Sequence, residues 1–585
     1  MHKPNIVLYR QCVDSFKKEH VLMTTNDFDV MVYPVQEILQ NQEVVDVVSA
    51  KSKIFYKLTN FLSIESNDQC LRQMAEKHLL REIELVEKIS KQKSYFLYCL
   101  ESGKCANVSR ILTRPSKNVL LLETKMMDLY HCPWQLWNNW RSQADFSESI
   151  KLVLELTNEI PEEEVILRWL GEPIQCIIIP VELFFYKEWY PELDEAHIKL
   201  LKRFIEVGVC DLMLKVRDTT EIDLFSYQDS LLYYVNEYQR VPQFNFDQLG
   251  IPLQPLYESL NNRTYEIFEL DPKKYYLYQM AIENALKDII SDEDSMKKKA
   301  VIMILGAGRG PLVRAALNAA INTKRKIKVY IVEKNPNAII TLNALKNEIW
   351  TKNDITIFAK DMRFFEPPEK SDILVSELLG SFGCNELSPE CLDGVQKHLK
   401  PNGISIPSKY TSYVNPVMSS KLYQKNRARD RIPNPIDKFK QTHSNFECSY
   451  VVCPKSIYHI DEPKPLFTFV HPNHDPVIDN TRYKALQFKA KLDTVLHGFI
   501  GYFDAVLYKD VFISIHPYTH TMGMFSWHNF YLPLTEPQQI KGGEIIEANF
   551  WRCSSPFKVW YEWSVSKPNK THIHNLRGDS CPIYK

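Results

Sequence analysis

The stretch VSELLGSFGCNELSPE (Val375–Glu390) sets Glu377 and Glu386 on either side of Gly380, Ser381 and Gly383. Glycine lets a loop backbone approach a ligand closely. Two carboxylates aimed at one spot repel each other unless a cation arrives between them. A guanidinium suits that place, because it is planar, carries five donors and makes bidentate hydrogen bonds. It is a poor nucleophile, with delocalised charge and a pKa above about 12. Held between acids, its charge is biased toward one nitrogen while the lone pair of the other is aimed at an electrophile. That gain requires a near-attack separation of about 3–3.5 Å.

The donor side is read from LGAGRGP, which places Gly306, Gly308 and Gly310 at a turn leaving an apolar run. Such a turn suits close approach to a nucleotide-like ligand, although glycine turns are common. An NAD fingerprint wants Gly or Ala at position 311, and Pro311 stands there. Glu333 closes the next apolar run and is placed to accept hydrogen bonds from two ribose hydroxyls. Asp361 and Met362 follow the third, suited to meet an adenine by hydrogen bond and by apolar packing. Singly, each acid reads as a surface residue. Together, at successive strand ends, they indicate an adenosine cofactor without a pyrophosphate. With a guanidinium clamp beside it, the chemistry suggested is methyl transfer from a sulfonium.

These residues need a scaffold. The chain has 585 residues, which predicts two to four domains, and its 45% hydrophobic share supplies their cores. Lys+Arg 71 against Asp+Glu 72 leaves a net charge of -1, which argues against direct nucleic-acid binding through a basic footprint. The 13 cysteines are scattered without a CxxC pair or a metal-ligand cluster, so reduced thiols and no metal are expected. With no signal-peptide block and no apolar run of about 18 residues, a soluble intracellular protein without a membrane segment is expected.

Strand and helix patterns alternate up to about residue 244. VMVYPV, YFLYCL, NVLLLE and CIIIPVELFFY interleave with HLLREIELVEKI and HIKLLKRFIEVG. This suits a parallel α/β domain, either a closed barrel or an open sheet. It shows no catalytic set and reads as a structural or docking domain. Residues 245–405 predict a doubly wound parallel sheet with strands at 301–305, 327–333, 354–361 and 372–377. Pro311 and Asn335–Pro336 open its helices. SDEDSMKKK before it reads as a solvated loop. Residues 406–585, with EIIEANFWRC and KVWYEWSVS, predict an antiparallel sandwich or barrel.

The segment VSELLGSFGCNELSPECLDG resembles the double-glutamate loop of protein arginine methyltransferases. With LGAGRGP, VEKNPNA, HPNHDPVIDN and GMFSW, it is similar to the type II, symmetric-dimethylating methyltransferase 5 family. RWLGEPI (Arg168–Ile174) resembles that family's N-terminal barrel. The resemblance implies a multidomain α/β protein: a TIM-like β/α barrel (1–244), a Rossmann-like sheet (245–405) and a C-terminal antiparallel β-barrel (406–585) for substrate binding and dimerisation. It implies S-adenosyl-L-methionine as methyl donor. By position, Glu377 and Glu386 become the guanidinium clamp. Tyr275, Asn284, Gly306, Gly308, Glu333, Lys334, Asp361 and Met362 become cofactor contacts. Tyr278, Ser526 and Trp527 become substrate contacts, with the indole walling the arginine channel.

Two positions depart from the family. Tyr278 stands where it has Phe, and Asn284 where it has a Lys near the cofactor's carboxylate. The implied product is mono- and symmetric dimethylarginine on histone tails and Gly-Arg-rich splicing proteins, in cytoplasm and nucleus. A WD-repeat partner on the barrel and a homo-oligomer are implied as well. The alternatives are a monomethylating enzyme or a scaffold with little activity.

Overall fold

The computed structural model describes residues 5–10, 30–36, 53–90, 93–113, 118–209, 211–216, 224–238, 246–430 and 444–585. The expected boundary at 244/245 lies outside the described residues. Two compact units are present. One comprises Met1–Asp247, Ser419–Ala428 and Lys455–Tyr458; the other comprises Gln248–Met418, Arg429–Pro454 and His459–Lys585.

In the first unit the parallel strands Asn5–Arg10, Val30–Pro34, Lys53–Lys57, Tyr95–Cys99, Val119–Lys125, Ile150–Glu155, Ile174–Pro180 and Asp211–Val216 close into a barrel. Near-continuous apolar runs such as CIIIP are what strands buried on both faces require. Val7, Phe55, Leu97, Leu121, Val153 and Ile178 fill the barrel's interior. The helix read at 78–89 is longer, Gln69–Ile89, because the Asp68 carboxylate caps it by accepting from the Leu71 N–H.

At the carboxyl ends of the barrel strands lies a cavity of about 530 Å³. Lys215 Nζ donates there to Glu155 Oε2 at 2.6 Å and to Glu123 Oε1 at 3.4 Å, and the Tyr9 hydroxyl donates to Glu123 Oε2 at 3.2 Å. Chemical groups do meet in this domain, in a cluster that sequence reading missed because its members come from separate strands.

Residues 419–428 and 455–458, assigned from sequence to the third region, belong to this first unit. The Ser420 hydroxyl donates to Glu172 Oε2 at 2.9 Å and accepts from Arg141 Nη1 at 2.8 Å. The Tyr458 hydroxyl donates to Glu164 Oε1 at 2.9 Å.

The second unit is built on five parallel strands: β1 (Lys299–Leu305), β2 (Lys326–Glu333), β3 (Ile355–Ala359), β4 (Ser371–Ser376) and β5 (Leu399–Ile406). Their order is β3-β2-β1-β4-β5, so the winding reverses between β1 and β4. Ligands bind at the carboxyl ends of the strands beside such a reversal. Strand β5 escapes sequence reading because Pro401, Asn402 and Gly403 look like a turn. It tolerates them at the edge of this sheet, where it pairs with β4 and the register shifts between Ser371 and Ile373.

The helices that serve the site are α1 (Pro272–Ile289), α2 (Pro311–Thr323) and α3 (Pro336–Glu348), each with proline in its first turn. The remainder is antiparallel, in a seven-stranded and a four-stranded sheet. Lys409–Met418, Thr494–Tyr508 and Asn529–Ile540 are its long central strands. Among the described residues no helix is long and apolar enough to cross a membrane, and the described cysteines are free thiols.

Candidate active site

Strand β1 ends at Leu305 and the chain turns at once through Gly306, Gly308 and Gly310, with φ of 68°, 54° and 97°. Side chains rarely adopt this left-handed region. Space excludes them too: a Cβ on Gly310 would come within 2.8 Å of the Trp350 ring. The Gly308 N–H donates to Glu333 Oε2 at 2.8 Å, while Glu333 Oε1 accepts from the N–H groups of Lys334 at 2.8 Å and Asn335 at 2.7 Å. One buried carboxylate at the end of β2 therefore fixes the glycine turn and the start of α3 together.

The Asp361 carboxylate is held by Arg363, through Nη2 at 2.7 Å and the backbone N–H at 2.9 Å. Burial raises its pKa, but these hydrogen bonds outweigh burial and keep it below the usual carboxylate range. Met362 and Leu378 face each other across Gly306, at 3.5 and 3.0 Å from where its Cβ would stand.

The glutamate loop leaves β4 and folds back on itself. Gly383 N–H donates to the Gly380 carbonyl at 2.8 Å, and the Asn385 side chain accepts from the Phe382 N–H at 2.7 Å. A Cβ on Gly380 would strike Asn385 Oδ1 at 2.4 Å, so this turn closes only with glycine. Phe382 stacks on Phe530 at 4.9 Å, and Arg552 grips Glu390 through both nitrogens at 2.8 Å. The loop is thus anchored at its tip and at its far end, and Glu377 and Glu386 both face one cavity. Burial first, then the neighbouring Glu377 carboxylate, push the Glu386 pKa well above its ordinary value.

Helix α1 supplies the third wall. Asp271 caps it by accepting from the Lys274 N–H at 3.3 Å. Its other oxygen accepts from the Phe525 and Ser526 N–H groups at 2.9 Å and from the Ser526 hydroxyl at 2.8 Å. Trp527 is thereby positioned, and its indole N–H donates to the Leu379 carbonyl at 2.7 Å. Lys274, only 1% exposed, donates from Nζ to Glu377 Oε2 at 3.0 Å. Its ammonium lies 4.8 Å from the Tyr275 ring centre and 4.9 Å from that of Trp527. Burial lowers the Lys274 pKa, yet Glu377 and Tyr275 more than offset this, so it remains an ammonium. Burial lifts the Tyr275 phenol to about 12.

These walls enclose a cavity of about 440 Å³. Tyr275, Gly306, Gly308, Glu333, Lys334, Asp361, Met362, Glu377, Glu386, Ser526 and Trp527 all line it. Two expected residues do not. Asn284 lies on α1 nine residues beyond Tyr275, about 13 Å along the helix axis, and a short amide does not span that distance. Tyr278 is fully buried behind the wall, donating to the Ser376 carbonyl at 3.1 Å. Lys274 is the lining residue that sequence reading passed over, although it immediately precedes Tyr275 in KKYYLY.

A second grouping departs from the expectation of no metal-ligating cluster. Potential ligand atoms of Glu447, His572 and His574 lie within 4.8 Å of one another. However, His574 Nε2 accepts from the Thr535 N–H at 3.1 Å, which puts its ring proton on Nδ1, toward the Trp563 carbonyl at 3.2 Å. His572 Nε2 faces Glu447 Oε1 at 2.7 Å. The group is a satisfied hydrogen-bond network, and sequence reading could not see it because Glu447 is far from the histidines in the chain.

Known families match the chain in succession. The PRMT5 TIM barrel domain covers residues 33–240, the PRMT5 arginine-N-methyltransferase 236–406 and the PRMT5 oligomerisation domain 409–583. Protein arginine N-methyltransferase 5 of Drosophila melanogaster is 48% identical over 451 residues, spanning 76% of this chain and 72% of that protein. The Xenopus laevis protein of the same name is 45% identical over 460 residues, 77% and 71%. That of Oryza sativa subsp. japonica is 39% identical over 582 residues, 90% and 88%.

Proposed function

This chain belongs to the protein arginine N-methyltransferase 5 family, and from that premise we propose that it converts protein arginine to monomethyl- and then symmetric dimethylarginine, using S-adenosylmethionine. The observation that carries this reading is one cavity with a glycine turn and Glu333 on one side and two carboxylates, Glu377 and Glu386, on the other. The donor side fits an adenosine sulfonium. The turn presents bare backbone, Met362 and Leu378 form an apolar slot, and Glu333 keeps acceptor capacity beyond the three N–H groups it binds. When bound, S-adenosylmethionine supplies an electrophilic methyl group on a cationic sulfur.

The chain's own residues do the rest. Glu377 and Glu386 hold the guanidinium from two sides and set which nitrogen faces the donor. Trp527 presents its ring to the cation and walls the channel. Burial and the neighbouring Glu377 carboxylate raise the Glu386 pKa and so favour its protonated form, and the arriving guanidinium favours release of that proton. A clamp carboxylate then takes the proton that the nitrogen loses on methylation.

Substrates are arginines in Gly-Arg-rich segments, as in histone tails and splicing proteins. The oligomerisation domain forms the homo-oligomer and the barrel docks a WD-repeat partner, in cytoplasm and nucleus. The test is mass spectrometry of a Gly-Arg peptide incubated with S-adenosylmethionine. Sequential addition of two methyl groups, with fragment losses of the symmetric isomer, is expected. Monomethyl product alone or asymmetric product overturns the type II reading, and donor binding without any methylation overturns the enzyme.

A further inference from the structure

Lys274 stands inside the clamp that the preceding reading assigns to substrate. Its ammonium donates to Glu377 Oε2 at 3.0 Å, its side chain is 1% exposed, and the Tyr275 and Trp527 rings cover it at 4.8 and 4.9 Å. Phe268 lies 5.6 Å away on a further side. The titratable groups facing it are Glu377 and Glu386 from the loop after β4, and Tyr275 and Asp271 from its own helix start. The 525–527 segment offers it only the indole. A cation is therefore already lodged, and partly desolvated, against one of the two acids meant for a guanidinium.

We propose that Lys274 is a specificity-determining residue: a resident ammonium that a substrate cation must displace from Glu377, which a guanidinium can do and a substrate lysine cannot. The inference rests on the arginine methyltransferase reading above. A guanidinium carries five donors in a planar fork and bridges both carboxylates at once. A lysine from outside offers the same single ammonium that Lys274 already supplies. Lys274 offers it intramolecularly, at an effective concentration that an external peptide does not reach. Displacement brings two cations near each other, and this repulsion is balanced when Glu386 gives up its proton to become the second anion. Two acids then face two cations.

The test compares wild type, Lys274→Met and the conservative Lys274→Arg, each loaded with S-adenosylhomocysteine. Binding of a Gly-Arg peptide and of the same peptide with lysine in place of arginine is measured by calorimetry in two buffers of different ionisation enthalpy. Wild type is expected to bind the arginine peptide with release of a proton and to bind the lysine peptide at least about a hundredfold more weakly. In Lys274→Met the lysine peptide should gain about tenfold or more in affinity, removing much of that discrimination, and Lys274→Arg should restore it. The inference is overturned if Lys274→Met loses affinity for both peptides in parallel while its melting temperature falls. It is also overturned if discrimination is unchanged in a stably folded Lys274→Met. Methylation of the arginine peptide by wild type, run alongside, separates the two readings. With methylation intact, either result sinks only the role of Lys274; with none, the enzyme reading falls first.

Discussion

Each compact unit buries a lysine among glutamates, and the two units settle the charges differently. In the barrel, Lys215 stands between Glu123 and Glu155, and the Tyr9 hydroxyl adds a second donor to Glu123. Burial lowers the Lys215 pKa, and the two glutamates more than restore it. In the methyltransferase unit, Lys274 reaches Glu377, and among the described residues no protein group donates to Glu386. A buried carboxylate needs either a partner or a proton. The barrel cluster provides partners and is complete, so it ties strand ends together. The clamp is one cation short, so it can take one from outside.

The sharpest way to break this comparison is to neutralise matched acids. Glu377→Gln and Glu386→Gln should each lower kcat for methyl transfer by about two to three orders of magnitude while donor affinity stays close to wild type. Glu155→Gln should leave kcat unchanged and instead cost about 1–3 kcal/mol of stability, since Lys215 loses its 2.6 Å carboxylate partner and keeps only Glu123 at 3.4 Å. Steady-state kinetics beside chemical denaturation reads both, and a clamp variant with near-normal turnover would erase the distinction.

Next in size is the donor wall. Glu333→Ala removes a carboxylate that binds three backbone N–H groups and that the proposed function assigns to the ribose. It should weaken S-adenosylmethionine binding by about 1.5–3 kcal/mol. Unchanged affinity by calorimetry would take Glu333 out of the site.

A pH series sharpens the contrast further. The folded Glu386 pKa lies above its unfolded value, so between those two values the native state binds more protons than the unfolded chain. Stability therefore falls as pH rises through that window. Glu386→Gln should remove this slope and be the more stable of the two at the upper end of the window, while losing turnover. A wild-type stability profile that parallels the variant's at every pH would contradict a raised Glu386 pKa.

The smallest effect is expected at Tyr278. Its hydroxyl donates to the Ser376 carbonyl at the end of β4 and not to a clamp acid. Tyr278→Phe should cost about 0.5–1.5 kcal/mol of stability and add the second methyl faster, with the product still symmetric by fragmentation. A switch to asymmetric product would show that the ring, and not only the backbone it braces, selects the nitrogen.

Much of the methyltransferase unit is legible along the chain because its information is local. The glycine turn, Glu333 and Asp361 each sit at a strand end, and strand ends in a doubly wound sheet share one edge. Asn284 shows the limit of such local reading: it lies about 13 Å further along α1 than Tyr275 and does not line the cavity. Strand β5 was hidden by turn-like residues, and the segment 419–428 by a return of the chain to the first unit.

The sequence by itself determined the order of architectures, the double-glutamate loop and the glycine turn, since periodicity and glycine spacing are fixed within a few tens of residues. Only the tertiary structure decided barrel closure, through pairing of Asn5–Arg10 with Asp211–Val216. It alone placed Lys274 on Glu377 across 103 positions and Lys215 on Glu123 across 92. Charges so far apart in sequence meet only when strands and helices pack, and their burial then sets which acids are satisfied and which still want a cation.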